Sequence, residues 1–140
     1  MRKEMIKKAI LYSPILLLII FTISVFSNPL RWSDERIRAY MLKRTPVGTN
    51  MEDVINIIEK NKKWKIDTIS NNGGYMLQHG SPTFVTPYNI DFGGAIGTQS
   101  IRANLGEYRN IFVTDVLVFF GFDENSRLVD LHVRKDIDAL

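Results

Sequence analysis

His79 and His132 are the only imidazoles among 140 residues, and there is no cysteine. Without a thiol the chain can form no disulfide, no thiolate nucleophile, no zinc–thiolate site and no acylated lipoprotein terminus. The histidines lie far apart and belong to no HExxH motif, and no Asp-rich calcium loop occurs. Ordinary polar positions account for them better than a metal. Gly93-Gly94-Ala95-Ile96-Gly97 is rich in glycine but lacks the Gly-Lys-Ser/Thr of a phosphate loop, and no helical pattern follows it. It reads as a turn or bulge. There is no Gly-x-Ser-x-Gly nucleophile elbow. The carboxylate pairs Glu52-Asp53 and Asp123-Glu124 fall at a helix start and a hairpin turn, where structure alone explains them. These residues predict no catalytic, cofactor-binding or metal residue. The alternative is a small surface hydrolase that uses the 80–97 loop with His79 or His132.

The charge has to be located before it is interpreted. The formal net charge is +3, and the first eight residues alone, with Arg2, Lys3, Lys7 and Lys8 against Glu4, carry all of it. From Ala9 onward 14 basic and 14 acidic residues balance. A nucleic-acid binder shows a basic stripe on its folded domain. Here the excess sits on a tail, so no nucleic-acid partner is expected.

That tail leads into Ala9–Phe26, which contains no charged residue. As a helix this stretch would be about 27 Å long, close to the hydrocarbon thickness of a bilayer. It exceeds an ordinary secretory h-region and ends in no clear small-residue cleavage site, so an uncleaved anchor is favoured over a cleaved signal peptide or a core helix. Lys7 and Lys8 abut it on one side, and Arg31, Arg36, Arg38 and Lys43 follow on the other. Proximity and the short tail place residues 1–8 in the cytoplasm. The expected layout is a basic cytoplasmic tail at 1–8, a transmembrane segment at 9–27 and an extracytoplasmic domain at 28–140. The expected location is the cell membrane, single-pass.

The domain reads as α+β, with two short helices packed on one face of an antiparallel sheet. Ser33 is placed to cap a helix running to about Arg44, with Ile37, Tyr40 and Met41 as its apolar stripe and Trp32 beside it. Thr49-Asn50-Met51-Glu52 forms a capping box with Thr49 as N-cap. Met51, Val54, Ile55 and Ile58 then follow helical spacing, and Asn61 stops the helix. Trp64 to Thr68 alternates as a strand, Asn71 to Gly74 turns, and Tyr75 to Gln78 is a short return strand. Residues 80–97 read as a long loop, Ser100 to Leu105 as a strand and Gly106 to Asn110 as a turn. Val113 to Phe122 and Leu128 to Lys135 are the strongest strands.

The order of export segment, two helices and antiparallel sheet resembles the small BamE/SmpA family of exported proteins, with their β-lactamase-inhibitor-like fold. The stretches that carry the likeness are Pro46 to Val54 and Phe120 to Val129. The family's members are typically lipoproteins. With no cysteine, this chain is more similar to the single-anchor proteins of that fold in Gram-positive bacteria. The resemblance implies a non-enzymatic domain that binds another protein.

If Asp123 to Ser126 is a four-residue loop, Phe120 faces Val129, Val118 faces Leu131 and Val116 faces Val133. That apolar face is expected to pack on the second helix. The opposite face pairs Phe119 with Asp130, Leu117 with His132 and Asp115 with Arg134, the last as a salt bridge. Leu117, Phe119 and His132, with Phe84, Tyr88 and Phe92 of the 80–97 loop, are therefore the candidate partner surface. Either the loop folds over this face or the face stays open to a partner.

Overall fold

The computed structural model describes residues 14–20, 22, 28–84 and 94–138. Tyr88, Phe92, the tail 1–8 and most of the uncharged segment lie outside the described residues. The chain forms two compact units, Met1–Arg31 and Trp32–Leu140.

In the first unit residues 14–20 are helical, and Pro29–Arg31 form a single 3-10 turn. Ile15, Leu16, Leu17, Leu18, Ile19 and Ile20 are all exposed, at 47–65%. Six consecutive residues cover every direction around a helix, so this helix is apolar on all sides. Among the described residues no helix is long and apolar enough to cross a membrane.

The second unit is α+β. Two helices, α1 (Asp34–Arg44) and α2 (Met51–Lys60), pack on one face of a four-stranded antiparallel sheet. Its strands are β1 (Lys65–Ser70), β4 (Gln99–Arg109), β5 (Val113–Phe122) and β6 (Leu128–Asp138), in that spatial order. β2 (Tyr75–Gln78) and β3 (Ser81–Phe84) form a separate two-stranded ribbon.

Ser33 caps α1 as expected, its Oγ accepting from the Arg36 amide at 3.3 Å. Ile37 and Met41 bury the inner stripe, and Trp32 meets Tyr40 edge-on at 5.7 Å. In α2 the cap is one residue later than the capping box suggested. Asn50 Oδ1 accepts from the Glu52 amide at 3.0 Å, while the Thr49 hydroxyl donates to the Pro46 carbonyl at 2.6 Å. The backbone decides between them, because Asn50 is bridged to Arg127 and the Thr49 carbonyl accepts from the Leu128 amide at 2.8 Å. Met51, Val54 and Ile58 are buried, and Asn61 is the C-cap.

Three strand expectations change. Tyr75–Gln78 does not return on β1 but pairs with Ser81–Phe84, a strand inside the stretch read as a loop. His79 and Gly80 connect them with φ of +52° and +81°, the pair of positive angles that a two-residue hairpin turn needs. β4 runs on to Arg109 through a bulge between Asn104 and Gly106, so residues 106–109 are strand and the turn comes at 110–112.

The closing hairpin differs by two residues. Asp123 and Arg127 close a three-residue loop, with Asp123 N–H donating to the Arg127 carbonyl at 2.9 Å and Ser126 at a φ of +56°. Asp123 Oδ1 also accepts from the amides of Asn125 and Arg127, at 2.9 and 2.8 Å. A bulge then turns Val129 outward. The found pairs are Phe120–Leu131, Val118–Val133 and Val116–Lys135, not those expected. Phe119 faces His132, Leu117 faces Arg134 and Asp115 faces Asp136. The Asp115–Arg134 bridge is not formed. Arg134 bonds Asp136 at 2.6 Å, and Asp115 accepts from Asn104 Nδ2 at 3.1 Å. An even shift preserves the faces, so Val116, Val118, Phe120, Leu131 and Val133 still line the helix side, all buried. α1 rather than α2 packs along β6, and α2 lies against β1.

Candidate functional site

The face carrying Leu117 and Phe119 is covered. Leu117 is 7% exposed and Phe119 1%, and both form a cluster with Tyr75 beneath Phe84 and Ile96. Of the two outcomes left open for this face the covered one is found, and these two residues are the floor of a second layer. That layer docks by close backbone approach. Tyr75 and Ile96 exchange backbone hydrogen bonds at 3.3 and 2.6 Å, and the Thr98 amide donates to the Phe122 carbonyl at 2.7 Å.

A chain of polar side chains, Arg38–Asp130–His132–Tyr75, runs through this region. Arg38 reaches round the edge strand β6, donating NH2 to Asp130 Oδ1 at 2.5 Å and Nε to the Leu131 carbonyl at 2.8 Å. Asp130 Oδ2 lies 3.8 Å from His132 Nδ1, which is 2.8 Å from the Tyr75 hydroxyl. Tyr75 is fully buried, and that burial raises its phenol pKa above the ordinary value of 10.0. The hydroxyl therefore stays protonated and joins the two layers. Its burial also denies it contact with a substrate. His79, at the β2–β3 turn, is exposed.

Burial pushes the His132 pKa below the ordinary 6.5, against the attraction of Asp130 and aided by Arg38. A neutral ring with its proton on Nε2 accepts the Tyr75 proton at Nδ1. A protonated ring would have to donate there, leaving the buried hydroxyl hydrogen to seek another acceptor. The sign follows from proton linkage. As pH falls through 6.5 the unfolded chain takes up a proton that the folded chain resists, so stability falls from there down to the folded pKa. The melting temperature is expected to be lower at mildly acidic than at mildly alkaline pH, and the difference is expected to shrink in His132→Gln. An unchanged difference in that variant would assign the effect elsewhere.

An open concavity lies at one end of the sheet. A cleft of about 530 Å³ lies among the start of α2, the end of β1, the start of β4 and the closing hairpin loop. Asn50, Asn71, Gln99, Asn125 and Ser126 line it with neutral hydrogen-bonding groups, Met51, Ile55 and Ile69 with apolar ones, and Glu52 adds one carboxylate. Ser126 Oγ and Gln99 Oε1 are already paired at 3.1 Å. Ile69 is exposed at the end of β1, one of the two edge strands of its sheet. Residues 46–54 and 120–129 meet beside this cleft. Gly48 N–H donates to the Leu128 carbonyl at 2.7 Å and Met51 N–H to the Ser126 carbonyl at 2.9 Å. Sequence reading missed the cleft because its residues come from four separate segments. The one available signal was a run of carboxamides at helix and strand ends.

α1 fixes which end of the unit this is. Asp34 lies 3.4 Å from Lys135, Arg38 bonds the Leu131 carbonyl and Gly48 bonds Leu128, so α1 runs antiparallel to β6. The chain thus joins the folded unit at the β4–β5 turn end, and the cleft opens at the other. β5 has 10 residues, which makes the separation about 30 Å. No known protein family, no curated protein and no solved structure matches this chain.

Proposed function

We propose that this chain is a single-pass, membrane-anchored extracytoplasmic module that binds another protein through its far cleft and performs no catalysis. The observation that carries this reading is the direction of α1. It brings the chain into the folded unit at one end, and the cleft lies at that unit's other end. The exposed, all-round apolar helix at 14–20 supports residues 9–27 as the anchor. The lining of carboxamides and aliphatics with the single carboxylate of Glu52 suits an extended peptide that brings no acidic side chain. Such a peptide can add to the edge of β1 while its side chains enter the cleft. The resemblance to BamE/SmpA-like proteins supports the same class of role.

Two measurements test it. The protein is expected to stay with membranes through a carbonate wash, and its folded unit to be digested by protease added outside intact protoplasts. A mature N-terminus near Asn28 in the non-membrane fraction would reject the anchor. A photo-crosslinking residue in place of Ile69 is expected to capture a protein in intact cells, and one in place of Lys62 is not. Equal yields from both positions would remove the cleft from the reading.

A further inference from the structure

The end opposite the cleft carries a group of exposed apolar side chains that includes Ile111, the most exposed large apolar residue among those described. Ile111, in the turn between β4 and β5, is 87% exposed, and its neighbour Phe112 is 46% exposed. Ile137, opposite Thr114 near the end of β6, is 64% exposed. The turn does not require them. It closes through the Asn110 amide and the Phe112 carbonyl at 3.2 Å, and turn positions ordinarily take Gly, Asn, Asp or Ser.

The chain leaves the unit at this same end. Lys135 Nζ donates to the carbonyl of Trp32, the unit's first residue, at 2.5 Å. The Tyr108 ring is 5.9 Å from the same ammonium. Only residues 28–31 separate Trp32 from the segment 9–27, and fully extended they span roughly 15–18 Å. Wherever that segment is embedded, this end of the domain is held close to the lipid surface.

We propose that Ile111, Phe112 and Ile137 form a second membrane contact that rests in the lipid–water interface. This inference rests on the anchor reading of residues 9–27. Trp32, Tyr108 and Lys135 then lie at headgroup depth, where tryptophan, tyrosine and lysine are favoured. Asp136 is held by Arg134 at 2.6 Å. Glu107 and Asp138 are exposed carboxylates beside the tip. They keep the contact shallow, since charge is strongly disfavoured in the hydrocarbon core. One tether lets a domain swivel, whereas a tether and an adjacent apolar tip set its tilt and hold the cleft away from the surface.

The absence of cysteine makes the test clean, because one introduced thiol takes one label. The full chain is reconstituted in vesicles of phosphatidylcholine and phosphatidylglycerol. A small environment-sensitive fluorophore is placed on Ile111→Cys, Asn125→Cys or Leu17→Cys, and quenched by lipids spin-labelled at shallow or deep positions. The label at 111 is expected to be quenched several-fold more than that at 125, chiefly by shallow spin labels, and the label at 17 by deep ones. If 17 is quenched while 111 matches 125, the second contact is rejected and the anchor stands. If 17 is not quenched, the anchor fails and takes the inference with it. Blue-shifted emission at 111 without lipid quenching would assign the tip to a protein neighbour and overturn the proposal.

Discussion

Replacing Gly97 with valine is expected to destabilise the folded unit by about 2–5 kcal/mol, a large share of the stability of a domain this size. Two independent causes add. Gly97 sits at a φ of +79°, where a side chain costs about 1–2 kcal/mol. A Cβ there would also lie 2.5 Å from the Phe122 carbonyl oxygen and 2.6 Å from its nitrogen, both backbone atoms that cannot step aside. Overpacking of this kind adds about 1–3 kcal/mol. Gly74 and Gly121 share the junction, since a Cβ on Gly74 would meet the backbone of Gly97 and one on Gly121 would lie 2.6 Å from the Ile96 carbonyl oxygen. Two other glycines separate the causes. Gly48 has a φ of +90° with nothing within 4 Å, so Gly48→Ala is expected to lose only the conformational part. Gly94 has open space and no positive φ, so Gly94→Val is expected to change stability by about 0.5 kcal/mol or less. Urea midpoints for the three variants check the order. Equal losses for Gly97→Val and Gly48→Ala would show that close backbone docking contributes nothing.

The parts of the fold that sequence revealed are those in which local signals agree. Helix α2 carries apolar residues at helical spacing, acids at its start and a lysine at its end, and it folds as read. Its cap moved by one residue because Thr49 and Asn50 are both good caps, and only the distant Arg127 and Leu128 backbone decides which is used. Strand β3 was hidden by Pro82, which ordinarily argues against a strand. It is tolerated here because the ribbon has only two strands, so β3 is an edge strand paired on one side, with β2. The hairpin slip arose from Asp123, whose carboxylate organises a tighter loop than its length suggested. The covered second face did leave a trace. Val116 to Phe122 is seven residues with no polar side chain, and all seven are buried. A strand with one wet face alternates, whereas this one reads as a strand buried on both faces. The cleft left no comparable trace, since its residues converge only once the sheet has formed.

Phe119→Ser is expected to cost about 3–5 kcal/mol, the range for removing a large side chain from a filled core. Phe119 is 1% exposed. Its ring meets Phe84 at 5.5 Å and Tyr75 at 6.1 Å, and the Arg134 guanidinium lies 5.2 Å from its centroid. Arg134 in turn donates to the Pro82 carbonyl at 2.8 Å, so the same ring and cation hold β3 against the sheet. Serine would remove the apolar contact and bring a hydroxyl into a space shaped for a ring. Phe119 also belongs to β5, which is hydrogen-bonded on both sides. The loss is therefore expected to be global and cooperative, visible as a lowered urea midpoint with an unchanged slope. Phe84→Ser makes the contrast. Phe84 is only partly buried and lies in the outer ribbon, so its loss is expected to expose β2 and β3 amides to hydrogen exchange before the sheet opens. Ile69→Lys, at the exposed end of β1, is expected to leave the urea midpoint within about 0.5 kcal/mol of the parent and yet to abolish capture of a partner at the cleft. A Phe119→Ser variant as stable as its parent would mean that the second layer does not cover this face, and Leu117 and Phe119 would again be open to a partner.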